Sequence, residues 1–251
     1  TDSDTTSDIQ EGAQHVGEVM ASVDEMGGSS GSLAAMDKNL ENSIVKTFER
    51  YLPEEKINRQ ELAEIILPRA NAAACGSTGF GSCSASGELT RSFNGCTVGS
   101  ATFSGDVTFS WSNGTSCSMG AATQSLRRSP NFTVTGIRGG SLRVTKTGTE
   151  GQKITWSSGT GTSKVFSLTS DGINRTITFN GSTLFNQTTS TTSAVTVTGT
   201  SRTSRVMNGG TIRVTNNVTN TTCDYSPTNV TWAGTTCNCP TSGSWAGTCS
   251  D

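Results

Sequence analysis

Two stretches in the second half of the chain are near copies of each other, and they constrain the fold more than any other feature. The first runs Arg138, Gly139, Gly140, Ser141, Leu142, Arg143, Val144, Thr145 and continues to Ile154, Thr155 and Trp156. The second runs Asn208, Gly209, Gly210, Thr211, Ile212, Arg213, Val214, Thr215 and continues to Val230, Thr231 and Trp232. In each, a Gly-Gly pair permits a turn, and the strand that follows sets Leu or Ile and Val on one face. The copies are offset by 70 residues at Leu142/Ile212 and by 76 at Trp156/Trp232. A β-solenoid needs several copies at a shorter, steady period, so an antiparallel sheet with an internal duplication is the better reading.

The composition from Cys75 onward agrees. Of 35 Ser and 42 Thr, 66 lie between residues 76 and 251. Disordered chains are usually highly charged and poor in β-branched residues, whereas only 15% of this chain is charged. Its Thr residues alternate with Val, Ile and Phe, and a branched Cβ suits a pleated surface. Phe103, Val107, Phe109 and Trp111 alternate with polar residues along one long strand. Further strands are expected near Phe132–Ile137, Leu142–Thr147, Ala194–Thr198, Ile212–Val218 and Val230–Trp232. Asp171-Gly172 predicts a hairpin between Lys164 and Phe179, with Ser170 facing Ile173, Leu168 facing Arg175, and Phe166 facing Ile177. That register puts Phe166, Leu168, Ile173, Ile177 and Phe179 on one face, with Arg175 as the exception.

The N-terminal part follows another grammar. Ile9, Ala13, Val16, Met20 and Val23 lie on one face of a helix that starts at Asp8 and Glu11. A Gly/Ser linker at 27–32 follows, then a helix near Leu33–Tyr51 and a short one carrying Leu62, Ile65 and Ile66. The expected organisation is an acidic leader with one amphipathic helix and linker at 1–32, a helical segment at 33–74, and an antiparallel β domain at 75–251. The fold class is mainly β: a large sheet, sandwich or rolled, disulfide-linked and rich in Ser, Thr and Gly, with an N-terminal α-helical segment. Residues 1–75 carry net charge −8 and residues 76–251 net +6, so the acidic helices are suited to dock on their own β domain or on a neighbouring chain. Nucleic acid is disfavoured as a partner, because the positive charge forms no basic run.

All eight cysteines lie from Cys75 onward, an even number in a thin-cored domain, which points to an oxidising compartment. The expected pairs are Cys96–Cys117, Cys75–Cys83, and two links among Cys223, Cys237, Cys239 and Cys249. Those last four lack the paired C-x2-C spacing of structural zinc sites, so disulfides are preferred to a metal centre. No apolar run is long enough to span a membrane. The opening Thr-Asp-Ser-Asp-Thr-Thr-Ser-Asp resembles in composition the tether of exported bacterial lipoproteins, which implies a removed signal and a lipid anchor at the N-terminus.

Catalysis has little to draw on. His15 is the sole histidine, remote in sequence from every β-region Ser and Cys, so a nucleophilic triad lacks its base. Glycoside hydrolysis needs only two carboxylates, and Glu88, Asp106 and Asp224 are the acids free of a turn or loop role. Trp111, Trp156, Trp232 and Trp245 each precede a Ser- or Ala-containing Gly-Thr segment. They read as strand-end plugs of a thin core, or alternatively as a platform that stacks sugar rings. The expectation is therefore a non-enzymatic, exported cell-surface or envelope protein, bacterial, on the outer surface or in the periplasm. It would serve adhesion, surface structure or an extracellular assembly, through self-association of sheet edges or contact with another envelope protein. The alternatives are a carbohydrate-binding β module using the tryptophans and, last, a glycoside-directed hydrolase; no cofactor or metal is implied.

Overall fold

The computed structural model describes residues 81–98, 101–114, 116–137, 139–200, 205–231 and 241–250. The expected N-terminal helices, His15, Cys75, Trp232, Cys237 and Cys239 lie outside the described residues. Among the described residues fourteen strands form one continuous antiparallel sheet, and ten of them close into a ring. Closure depends on two long strands, β4 (Ser125–Ile137) and β13 (Thr221–Thr231). Along one edge β4 pairs β3 (Ala101–Trp111) from Leu126 to Thr135. Its other edge is divided: Ser125–Arg128 pair β6 (Gln152–Ser158), while Asn131–Thr135 pair β5 (Gly140–Lys146). Strand β13 is divided in the same way between β12 (Thr211–Asn216) and β11 (Val206–Asn208), and is backed by β14 (Ser242–Ser250).

Two arcs join these shared strands. One is β5, β8 (Ile173–Phe179), β9 (Ser182–Ser193) and β12; the other is β6, β7 (Val165–Ser170), β10 (Val195–Thr198) and β11. The chain alternates between a hairpin within one arc and a crossover to the other, so the sheet is rolled on itself. Pro130 and Pro227 sit where β4 and β13 change partner. A residue without an N–H costs a ladder least at such a gap, and the Pro227 carbonyl there accepts instead from Gly209 N at 3.0 Å.

The ring interior holds a single apolar cluster, including Leu126, Phe132, Val134, Leu142, Ile154, Leu168, Ile177, Val197, Ile212 and Tyr225. Strand alternation puts these side chains inside and most of the Ser, Thr and Asn side chains outside, with Ser125, Ser170 and Thr189 among the buried exceptions. Closure also removes the exposed edges of the ten strands in it. Beyond the ring, β3 carries β1 (Glu88–Ser92) and β2 (Cys96–Val98) on its far edge. Phe93 between them packs on Phe103 and Phe132, with ring centroids 5.9 and 5.5 Å apart.

Three expectations are corrected. The Lys164–Phe179 segment is not a hairpin: β7 pairs β6 and β10, whereas β8 pairs β5 and β9. Asp171-Gly172 is instead a crossover corner. The Asp171 carboxylate accepts from the Glu150 and Gly151 N–H groups at 2.7 Å each, which fastens it to the neighbouring β5–β6 crossover. The facing was nevertheless right, because Phe166, Leu168, Ile173 and Ile177 are buried and Phe179 is partly buried against the same core. Second, Cys83 bonds Cys117, with Cα atoms 5.8 Å apart, rather than Cys83 with Cys75 or Cys117 with Cys96. The link ties the segment before β1 to the loop after β3, which the β1–β3 ladder already brings together. Cys223–Cys249 is one of the links expected among the last four cysteines; it staples β13 to β14. Third, Trp245 lies inside β14 and Trp156 two residues before the end of β6, so only Trp111 of the described tryptophans ends its strand.

The sequence repeat has a partial structural counterpart. Strands β5 and β12 each stand next to a shared strand, at opposite ends of the same arc. After β5 the chain crosses to the other arc at β6, but after β12 it turns back along β13. The strand leading to Trp156 and the strand leading to Trp232 therefore do not correspond.

Candidate functional site

The outward positions of β1, β3, β4 and β5 line a polar groove of about 700 Å³. Period two delivers them: Glu88 from β1, Asp106, Thr108 and Ser110 from β3, Arg127, Ser129 and Asn131 from β4. Strand β5 and the loop after it add Arg143, Thr145, Lys146 and Thr149. Asp106 stands opposite Asn131, and Asn131 opposite Thr145, which makes a polar row across three strands. Acids occupy the β1–β3 side and bases the β4–β5 side.

Most of the charges are engaged. The Ser110 hydroxyl donates to Glu88 Oε1 at 3.1 Å. Arg127 donates to Glu150 at 2.5 Å, and the Lys146 ammonium donates to the Thr149 carbonyl at 3.0 Å. Two groups differ. Arg143, exposed between Thr133 and Thr176 on the adjacent strands, has no ion-pair or hydrogen-bond partner among the described residues. Nor has the Asp106 carboxylate.

Glu88 and Asp106, two of the acids expected as hydrolase candidates, thus share one groove. Glu88 stands opposite Ser110, four residues along β3 from Asp106. Four residues of strand and one strand spacing put their Cα atoms about 14 Å apart. Paired glycosidase carboxyls are roughly 5–9.5 Å apart, and outward side chains leave the sheet roughly in parallel. Asp224 is elsewhere, on β13, where Arg213 grips it through two hydrogen bonds of 2.8 Å. Those bonds hold the Asp224 carboxyl below its ordinary pKa.

The tryptophans are dispersed over β3, β6 and β14. Trp156 is 9% exposed, and its Nε1 donates to the Ser158 and Gly159 carbonyls at 2.9 and 3.1 Å. The Lys164 ammonium lies 3.6 Å from its ring centroid. Trp111 packs beside Phe109 at 6.4 Å, and Trp245 is half-buried against the core. None of the three lines the groove. Cys223 and Cys249, weighed above as zinc ligands, are bonded to each other. Among the described residues no three His, Cys, Asp or Glu side chains converge, and no helix is long and apolar enough to cross a membrane.

Sequence reasoning found Glu88 and Asp106 but missed Arg143, Arg127 and Lys146, because nothing local tells which outward charges of a sheet share a depression. The one available signal was the Gly-Gly strand itself, where Arg143 alternates with Leu142 and Val144.

No protein-family model matches the chain, and neither a curated protein nor a solved structure matches it.

Proposed function

We propose that this is a non-enzymatic protein of the bacterial cell surface or envelope that works by contact, in adhesion or surface structure. The observation that carries the reading is the pair of disulfides, Cys83–Cys117 and Cys223–Cys249, on a ring whose outer face is hydroxyl and amide. Disulfides of this kind persist outside the reducing cytosol, and both pairs are compatible with an oxidising extracellular setting. The wide separation of Glu88 and Asp106 and the engagement of Asp224 with Arg213 favour contact over hydrolysis. Protease shaving and thiol labelling of intact cells test the reading: the protein should be clipped from outside, with no alkylated cysteine. Protection from protease in intact cells together with fully alkylated thiols would refute it.

A carbohydrate-binding role is the second reading, and the groove favours it over the tryptophans. Its hydroxyl and amide lining offers donors and acceptors to a polyhydroxylated ligand. Strand addition between copies has β14 as its natural site, since Ser242–Ser250 is exposed along most of its length and carries no charged residue. Concentration-dependent light scattering, abolished by a lysine at Ser244 or Ala246, would support it.

A further inference from the structure

We propose that the groove on the outer face of β1, β3, β4 and β5 binds a polysaccharide bearing ring carboxylates, with Arg143 holding a carboxylate and Asp106 accepting sugar hydroxyls. The proposal rests on the contact reading above and names the ligand class for its site. Three features carry it. Arg143 is a guanidinium held on a regular strand, exposed and without a partner among the described residues, while the neighbouring Arg127 and Lys146 are already engaged. Its planar fork of donors matches a carboxylate in two parallel hydrogen bonds.

Asp106 is the second feature. A groove serving polyanions by charge alone would be weakened by a free carboxylate on its wall, and Glu88, held by Ser110, adds a second negative charge. As a hydrogen-bond acceptor, however, Asp106 suits the hydroxyls that such a polymer carries between its charges. The floor between them is the third. Ser129, Asn131 and Thr145 supply groups that donate and accept, and no aromatic ring lines the groove. Recognition there must be polar, not by stacking. From Asp106 to Arg143 is two strand spacings and one two-residue step, about 12 Å between Cα atoms. That is too far for a direct ion pair and leaves room for a sugar residue lying across Asn131.

The test is titration calorimetry of the full chain with polygalacturonate oligomers, their methyl esters and dextran sulfate. The acid form should bind, and the ester, which keeps the rings and loses the charge, about ten- to hundred-fold more weakly, the usual range for a charge-assisted hydrogen bond. Arg143→Ala should lose as much, and Arg143→Lys should recover only part of it. Asp106→Asn decides between recognition and plain charge. It should weaken polygalacturonate binding several-fold, whereas a nonspecific cationic surface would bind more tightly once the carboxylate is removed. Tighter binding by Asp106→Asn, equal binding of dextran sulfate, or no binding of polygalacturonate overturns the proposal. Because both side chains point away from the core, unchanged melting temperatures confirm that the variants are folded. A protein that is oxidised and displayed on the surface but binds no polygalacturonate would overturn the ligand assignment and leave the surface reading standing.

Discussion

The second Gly-Gly pair offers a sharp test of ring closure, because its two residues look alike in sequence and differ in what surrounds them. Both have positive φ, +66° at Gly209 and +75° at Gly210. A Cβ on Gly209 meets nothing within 4 Å. A Cβ on Gly210 falls on the backbone of the β9–β10 crossover, onto the Ala194 carbonyl, with the carbonyl carbon at 2.6 Å and Val195 Cα at 2.7 Å. Backbone cannot swing aside as a side-chain tip can. Gly209→Ala should therefore cost only the left-handed conformation, roughly 1–2 kcal/mol. Gly210→Ala pays the same and must also push two crossovers apart, an overpacking cost of about 1–3 kcal/mol. In a domain of this size 1 kcal/mol moves the melting temperature by roughly 2–4 °C. Thermal unfolding followed by circular dichroism should then place Gly210→Ala about 2–12 °C below Gly209→Ala. Equal transitions, or a lower one for Gly209→Ala, would mean that the β9–β10 and β11–β12 crossovers are not packed together.

Three further outcomes are expected. Replacing Cys83 and Cys117 together by Ser releases a loop with a sequence separation of 34, and the chain-entropy relation puts the loss near 3.8 kcal/mol, roughly 8–15 °C in melting temperature. Trp156→Ala should cost about 3–5 kcal/mol as a core truncation and leave polygalacturonate affinity unchanged, since the ring is buried away from the groove; a loss of affinity at unchanged stability would restore the aromatic platform. Arg213 holds the Asp224 carboxyl below its ordinary pKa, so the pair stabilises the fold above the unfolded value of about 3.9 and the contribution disappears as pH falls through the lowered folded value. The gap in melting temperature between wild type and Asp224→Asn should accordingly be small and level above about pH 5 and close at more acid pH; a gap that widens in acid would contradict the assignment.

Much of the strand content was readable in the chain. Where apolar residues recur at every second place, as along Phe103–Trp111 or Leu142–Val144, both the strand and its inner face follow from period two. Strands β1, β2, β11 and β14 were not foreseen, and β9 was missed for the complementary reason. The inward places of β9 include Gln187 and Thr189, both buried, so polar residues occupy both faces and no alternation is left to see. Partner choice was the deeper failure. Asp-Gly is a local hairpin signal, but β7 and β8 have both edges taken by other strands once the ring closes, so a tertiary constraint overrides it. Pro130 and Pro227 were the overlooked clue: a proline within an otherwise regular strand pattern marks a break in one ladder, here the point where a shared strand passes from one arc to the other. The groove was half legible. Its acids stood out because acids are scarce in this domain, but its unpaired arginine belongs to a strand some 37 residues further along than Asp106, and only the β3–β4–β5 register brings the two onto one surface.

In the oxidised chain one cysteine before β1 is joined to one after β3. Peptide mapping by mass spectrometry, on protein taken from its native source and alkylated before any reductant is added, reads this in one experiment. The expected result is linked peptides carrying Cys83 with Cys117 and Cys223 with Cys249. Alkylated thiols at those four positions, or Cys117 linked to Cys96, would contradict both the architecture and the compartment argued from it.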